Sequence, residues 1–316
     1  MIHIACKVNL SCSLQVFLFT NSFRCVIITL TKYERLILMM NFLLQEAIEK
    51  RKSVRTYLEK PLDSADRDKI NCFIDFLTCE PHPFSAKVRI RLFDVDKDIN
   101  AKDLGTYGVI KGARSYLGVA VNDVPDAMEA VGYVFEKLVL YAQSLGLGTC
   151  WLGGTFNRSE FAKAMELSGD EFFPIASPIG YPAPKNHTVD KIMRKAIKAD
   201  TRKSFDELFF EGSFDSPLVK EAAGEYLYPL EMTRLAPSAK NAQPWRILHD
   251  ASDFHFYEKK TIPSSNHDIQ RLDIGIAVCH FELAAKEKGL SVKITEQAAP
   301  HIDAKGLIYV MSCITE

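Results

Sequence analysis

No Cys-x-x-Cys pair occurs in this chain, and neither His-x-x-x-His nor His-Glu-x-x-His is present, although it holds 8 cysteines and 8 histidines. These missing spacings argue against a zinc or iron–sulfur centre. The thiols, at positions 6, 12, 25, 72, 79, 150, 279 and 313, are scattered. They read as small buried residues in a reducing compartment, which predicts a cytoplasmic protein. No block of like charge is present, and the formal net charge is −1. No global field would therefore draw the chain to nucleic acid or to an anionic membrane. The richest basic stretch, residues 185–203, is broken by Asp190 and Asp200. An unbroken apolar run of membrane-spanning length is also missing. Residues 14–30 come nearest, but Asn21 and Arg24 interrupt them, and no small-residue cleavage pattern follows. No Ser-His-Asp or comparable triad stands out.

What is present is a soluble globular composition, 47% hydrophobic and 25% charged. The 316 residues suffice for one large domain or two ordinary ones. Residues 1–39 differ from the rest: they hold three of the eight cysteines and show no clear helical or strand period. Met39-Met40 stands just before a well-formed helical pattern. The expectation is that residues 1–39 are a non-native or disordered extension and that translation starts at Met39 or Met40. A peptide from residues 1–38, found by mass spectrometry of the native protein, would refute this.

From residue 42 the apolar spacing predicts a helix over 42–51, then one beginning near Ser64 that buries Ile70, Phe73, Ile74 and Leu77. Strands are expected at 88–93, 116–121 and 173–179, with a long helix over 128–144 and a short one from Ser159. Residues 181–214 read as a connector. Beyond it come a helix to about residue 235, strands at 245–249 and 254–257, a second long helix over 268–288, and strands at 291–296 and 307–312. The two long helices can be superposed by a shift of 143 positions. Gly132 then meets Gly275, Leu140 meets Leu283, Ala142 meets Ala285, and Gly146-Leu147 meets Gly289-Leu290. The reading is a duplicated α+β unit packed through its long helices, with one half at 40–214 and the other at 215–316.

Three segments carry chemistry. In Arg51-Lys-Ser-Val-Arg-Thr-Tyr57, an extended backbone would point Arg51, Ser53 and Arg55 the same way. Two guanidinium forks and a hydroxyl suit a phosphomonoester. A solvated basic helix end is the plain alternative. In Ala236-Pro-Ser-Ala-Lys-Asn-Ala-Gln-Pro-Trp245, two prolines bracket a polar loop that can offer backbone and amide groups to the edge of a planar heterocycle. The alternative is a polar turn ahead of a core tryptophan. In Gly146-Leu-Gly-Thr-Cys-Trp-Leu-Gly-Gly154, four glycines in nine residues allow close backbone approach to a ligand. Trp151 stands where a Gly-x-Gly-x-x-Gly fingerprint needs its third glycine, so this is not a dinucleotide turn. A helix cap followed by a buried strand is the alternative.

Together these strings resemble the signatures of the FMN-dependent nitroreductase family, and most of all its subgroup in which one chain holds two nitroreductase-like halves. In most of the family the Arg-x-Ser-x-Arg start and the Pro-Ser-x-x-Asn loop lie a few dozen residues apart, and a homodimer reunites them. Here they lie on opposite halves of one chain. The resemblance implies a nitroreductase-like α+β fold of two pseudo-symmetric halves and a monomer acting as a pseudo-dimer. It implies FMN as cofactor, NAD(P)H as reductant, and a nitroaromatic, quinone or similar small-molecule electron acceptor in a ping-pong hydride transfer. No catalytic side chain is implied. Arg51, Lys52, Ser53 and Arg55, with Arg202 and Lys203, are the implied phosphate-binding set. By the same resemblance Leu152, Gly153 and Gly154 would line the flavin ring from the first half, and Pro237, Ser238, Ala239, Asn241 and Gln243 would contact it from the second. Tyr107 and Phe84 are candidates for shaping the acceptor pocket. The first half lacks a Pro-Ser-x-x-Asn loop, having Pro81-His-Pro-Phe-Ser85 there, and the second lacks the Arg-x-Ser-x-Arg and glycine-rich strings. One FMN site per chain is therefore expected. A non-catalytic flavin-binding module, or a different FMN reaction on the same scaffold, is the competing reading.

Overall fold

The computed structural model describes residues 4–9, 13–19, 25–29 and 43–315, apart from 96–97, 100–104, 107, 155, 185–187, 264–266 and 297–298. Two compact units result, residues 1–43 and residues 44–316.

The first unit contains strands where the sequence shows no strand period. β1 (Ile4–Asn9), β2 (Ser13–Phe19) and β3 (Cys25–Thr29) pair antiparallel in the order β1-β2-β3. Ile4 faces Leu18 across the first pair and Gln15 faces Thr29 across the second. The polar interruptions Asn21 and Arg24 fall between β2 and β3, which is why an apolar run hid two strands. Met39 and Met40 lie outside the described residues.

The second unit opens with α1 (Leu44–Lys50) and α2 (Ser64–Cys79), whose buried face is the expected Ile70, Phe73, Ile74 and Leu77. β4 (Val88–Asp94), β5 (Ser115–Asn122), the two-residue β6 (Gly148–Thr149) and β7 (Glu171–Gly180) form an antiparallel sheet ordered β4-β5-β7-β6. α3 (Ala127–Ser144) runs between β5 and β6, and α4 (Arg158–Met165) precedes β7. The expected connector is more structured than its composition suggests: it holds α5 (Thr188–Ala196) and β8 (Phe209–Glu211). The boundary at 214/215 falls inside β9 (Ser213–Pro217). The helix expected after it is broken. A 3₁₀ segment, Lys220–Tyr226, is kinked at Gly224 before α6 (Leu227–Arg234) begins. β10 (Trp245–Asp250), β11 (Asp253–Glu258), α7 (Ile269–Glu287), β12 (Val292–Thr295) and β13 (Ile308–Thr315) complete the chain. The second sheet is ordered β12-β13-β11-β10-β8-β9, and β10 runs parallel to β8.

The long helices α3 and α7 pack on each other at the centre, each buried around nearly its whole circumference. Such burial suits largely apolar helices, although charged residues such as Glu136 and Asp273 are buried with them. Their contact follows the shift of 143. A Cβ on Gly132 would lie 2.1 Å from the carbonyl oxygen of Leu272, and one on Gly275 would lie 2.0 Å from that of Glu129. Each glycine thus admits the other helix's backbone three residues before the partner glycine. The helix ends match too. Gly146 and Gly289 both take φ +76°. Leu147 N–H donates to Ala142 O, and Leu290 N–H to Ala285 O, each at 2.9 Å. Both are six-to-one closures onto left-handed glycines. The halves are pseudo-symmetric about the Gly132–Gly275 crossing, as the repeat predicts.

Candidate active site

A cavity of about 650 Å³ opens beside this crossing, a size ordinary for a small-molecule or cofactor site. All three chemistry-bearing strings reach its wall: Ser53 and Arg55 from the first, Trp151, Gly153 and Gly154 from the second, and Pro237, Ser238, Ala239 and Lys240 from the third. α7 adds Ile269, Leu272, Asp273 and Ile276, and α3 adds Met128.

The first two strings run side by side. Val54 N–H donates to Thr149 O at 2.8 Å, and Ser53 bridges Thr149 in parallel. This approach requires Gly148, where a Cβ would lie 2.6 Å from the Val54 side chain. Beyond them, Leu152 pairs with Ala176 of β7, so Gly153 and Gly154 turn out over the cavity. A Cβ on Gly154 would meet nothing within 4 Å, which leaves an open cradle there. Arg158 fixes its edge by donating to Gly153 O at 2.8 Å and Phe173 O at 2.7 Å. The third string is held by strained turns: Lys240, Asn241 and Gln243 take φ of +52°, +57° and +48°. Ser238 Oγ accepts from Gln243 N–H at 2.9 Å, and Asp273 accepts from Ala239 N–H.

Arginines gather near the start of the first string. Arg51 Nη1 is buried and has no hydrogen-bond partner among the described residues. Burial lowers the Arg51 pKa; Glu136 opposes that shift and Arg194 adds to it. Burial also lowers the Arg202 pKa to about 10, with Arg51, Arg234 and Arg194 contributing. Several arginines therefore share a partly dry neighbourhood. Arg55 is already engaged, since its Nη1 donates to the buried Asp190 of α5 at 2.8 Å.

The family model described as "Putative TM nitroreductase" matches residues 43–285. The chain belongs to this nitroreductase family. A solved structure described as a "putative nitroreductase" of Thermotoga maritima MSB8 is 21% identical, with a TM-score of 0.54, over 86% of this chain and 92% of that one. An FMN-dependent nitroreductase of Clostridium difficile R20291 is 15% identical, with a TM-score of 0.37, over 46% of this chain and 93% of its own. An iodotyrosine deiodinase bound to FMN and 3-iodo-L-tyrosine is 18% identical, with a TM-score of 0.37, over 46% of this chain and 92% of its own. No curated protein matched.

In this chain the expected residues divide. Ser53, Arg55, Gly153, Gly154, Pro237, Ser238 and Ala239 line the cavity. Arg51, Lys52, Leu152, Arg202, Lys203, Asn241 and Gln243 do not. Lys52 is exposed and Leu152 is in the core. The Asn241 amide donates to Lys198 O at 2.8 Å and Thr201 O at 3.1 Å. Gln243 Oε1 accepts from Lys203 N–H at 2.7 Å. Arg202 donates to the carbonyls of Leu235, Ala199 and Thr201 and to Asn241 Oδ1. These polar side chains pin the end of the connector to the third string. An amide can satisfy a neighbouring carbonyl as readily as a ligand, and sequence does not separate the two. Phe84 is buried against Tyr133, off the cavity wall, and Tyr107 lies outside the described residues. The α7 and α3 wall residues, Arg158 and His267 were not foreseen. An acidic residue on the buried face of a long helix, Asp273, was the one available signal.

The pseudo-symmetric position is filled differently. A shift of 143 carries Met128 to Arg271, Leu272 to Glu129 and Ile276 to Tyr133. Arg271 donates to Glu129 at 3.0 Å and to Glu258 at 3.0 Å, and Tyr133 O–H bonds Glu282. Charged side chains paired with one another stand where the cavity has apolar walls. Among the described residues no cluster of metal-ligating side chains occurs, and no helix is long and apolar enough to cross a membrane.

Proposed function

We propose that this chain is an FMN-dependent NAD(P)H oxidoreductase that binds one FMN in the cavity and passes reducing equivalents to a small nitroaromatic, quinone or similar acceptor. The observation that carries the reading is the convergence of three separated strings on one wall, the first of which also carries a buried arginine nitrogen, Arg51 Nη1, without a partner among the described residues. The residues fit the cofactor. A buried, unpartnered Arg51 Nη1 is costly unless an anion completes it, and a phosphate oxygen does so. Ser53 adds a hydroxyl, and Gly154, where a Cβ would meet nothing within 4 Å, leaves room for a planar ring. When bound, FMN supplies hydride acceptance and donation. The protein anchors, orients and excludes water: Arg51 and Ser53 at the phosphate, Gly153, Gly154 and Ala239 along the ring, Met128 and Ile276 as apolar walls. Arg202, Asn241 and Gln243 support the phosphate end through the chain. The fused halves act as a monomeric pseudo-dimer in the cytoplasm.

Anaerobic titration tests this. Stoichiometric FMN binding, followed by bleaching of the flavin absorbance on adding NADH or NADPH, is expected. Binding without bleaching would favour a flavin-binding module. Size-exclusion chromatography with light scattering is expected to return the monomer mass. Arg51→Met should weaken FMN binding by roughly 10–100-fold, the worth of a charge-assisted hydrogen bond. It should leave riboflavin, which lacks the phosphate, little changed. The same variant should not destabilise the cofactor-free protein, because it removes a buried charge that lacks a full set of partners. Equal losses for FMN and riboflavin would remove Arg51 from the phosphate.

A further inference from the structure

Among the described residues, the cavity wall carries one carboxyl, that of Asp273 on α7. Asp273 is 2% exposed and has no ion pair with any cation among the described residues. Its two oxygens accept a single N–H, that of Ala239, at 3.0 and 3.1 Å. One N–H cannot saturate a carboxylate, which offers about four lone-pair sites. A neutral carboxyl resolves the mismatch: one oxygen accepts from Ala239, and the other carries a proton. Because the side chain lines the cavity, that proton can reach a molecule held there.

The surroundings agree. Burial raises the Asp273 pKa well above the ordinary 3.8; the Ala239 N–H opposes this, and Asp268 and Glu258 add to it. The cations facing the region are committed elsewhere or turned to solvent. Arg271, on the same helix, is paired with Glu129 and Glu258. Arg55 is held by Asp190, and Arg158 donates to two carbonyls. Lys240 is exposed, and His267 stacks on Phe172.

We propose that Asp273 is the proton donor to the electron acceptor. The inference rests on the function proposed above. Reduction of a quinone carbonyl needs a hydride and a proton. With FMN bound, the flavin would supply the hydride, drawn from NAD(P)H. The Asp273 O–H bond breaks, the acceptor O–H bond forms, and the carboxylate regains a proton from water at the cavity mouth. A general acid so placed contributes about 10²–10⁴-fold.

The test compares the wild type with Asp273→Asn, whose amide oxygen can still accept from Ala239. Each is loaded with FMN, reduced anaerobically with NADPH, and mixed with benzoquinone or with ferricyanide across pH. Ferricyanide takes electrons without a proton. The expected result is an Asn variant about 100-fold slower with benzoquinone. It should lack the wild type's fall in rate at high pH and reduce ferricyanide at the wild-type rate. Unchanged benzoquinone kinetics, or equal slowing with both acceptors, would overturn the proposal. If the wild-type flavin fails to bind or bleach, before any acceptor is added, the functional reading falls and takes the proposal with it.

A second readout needs no cofactor. A carboxyl whose folded pKa lies above its unfolded one adds stability below the unfolded value, and that contribution is lost as pH rises through the folded value. The melting temperature of the Asn variant relative to wild type should therefore climb from about pH 4 upward. A pH-independent difference would show an ionised, merely structural Asp273. Should the variant fail to fold, the protonated-carboxyl infrared band of the wild type decides, and its absence at neutral pH overturns the proposal.

Discussion

Alanine at Gly275 or Gly132 is expected to cost at least about 3 kcal/mol, the upper end of what inserted methyls usually cost in a packed core. The obstacle at each site is a carbonyl oxygen of the opposite helix, 2.0 Å away for Gly275 and 2.1 Å for Gly132. A side chain could rotate aside, but helical backbone cannot. The helices must separate, and every buried contact along α3 and α7 loosens with them. For a fold whose total stability is of order 5–15 kcal/mol, such a loss brings the chain near unfolding at ordinary temperature. Urea midpoints measured by circular dichroism would show it. A loss below 1 kcal/mol at both positions would mean that the crossing is not the hinge of the architecture. The two losses should also be similar, because the sites are related by the internal repeat.

The second large effect concerns Glu136 and His280, both fully buried between the long helices. His280 Nε2 lies 3.0 Å from Glu136 Oε1, and its Nδ1 lies 2.9 Å from Met232 O. A carbonyl can only accept, so Nδ1 carries a hydrogen and donates it to Met232 O, which turns Nε2 towards Glu136 Oε1. Glu136 Oε2 accepts from Trp151 Nε1 at 3.1 Å, which ties this pair to the cavity wall. Glu136→Ala should cost about 3–5 kcal/mol, the price of leaving buried partners unmatched. Glu136→Gln should cost far less, since its amide can donate to a neutral imidazole and accept from the indole. Guanidinium unfolding of the two variants separates a hydrogen-bonding role from a volume effect. Equal losses in both would show that charge, not shape, holds the network.

The α+β class, the long helices and their crossing were legible because they rest on periodicity and on glycines that the packing cannot do without. Gly132 and Gly275 align in the sequence because each must admit a backbone. The three strings were legible for a similar reason: each fixes a backbone path. Side-chain direction was harder to read. Asn241 and Gln243 sit in left-handed turns that aim their amides back at residues 198–203, and local preference alone does not foresee consecutive positive φ at Lys240 and Asn241. The connector helix α5 escaped notice because its apolar positions are few, and what it delivers is a single buried carboxylate to Arg55. The cavity wall on α7 was hidden for the opposite reason, since an apolar helix face reads as core whether it meets protein or a ligand.

The split of the three strings between halves of one polypeptide also sets how the site responds to dilution. A pocket built across two separate chains empties as the chains part, so its ligand affinity depends on protein concentration. Here residues 53–55, 151–154 and 237–240 are joined by peptide bonds, and the encounter that forms the cavity is intramolecular. Ligand occupancy should depend on ligand alone, at nanomolar as at micromolar protein.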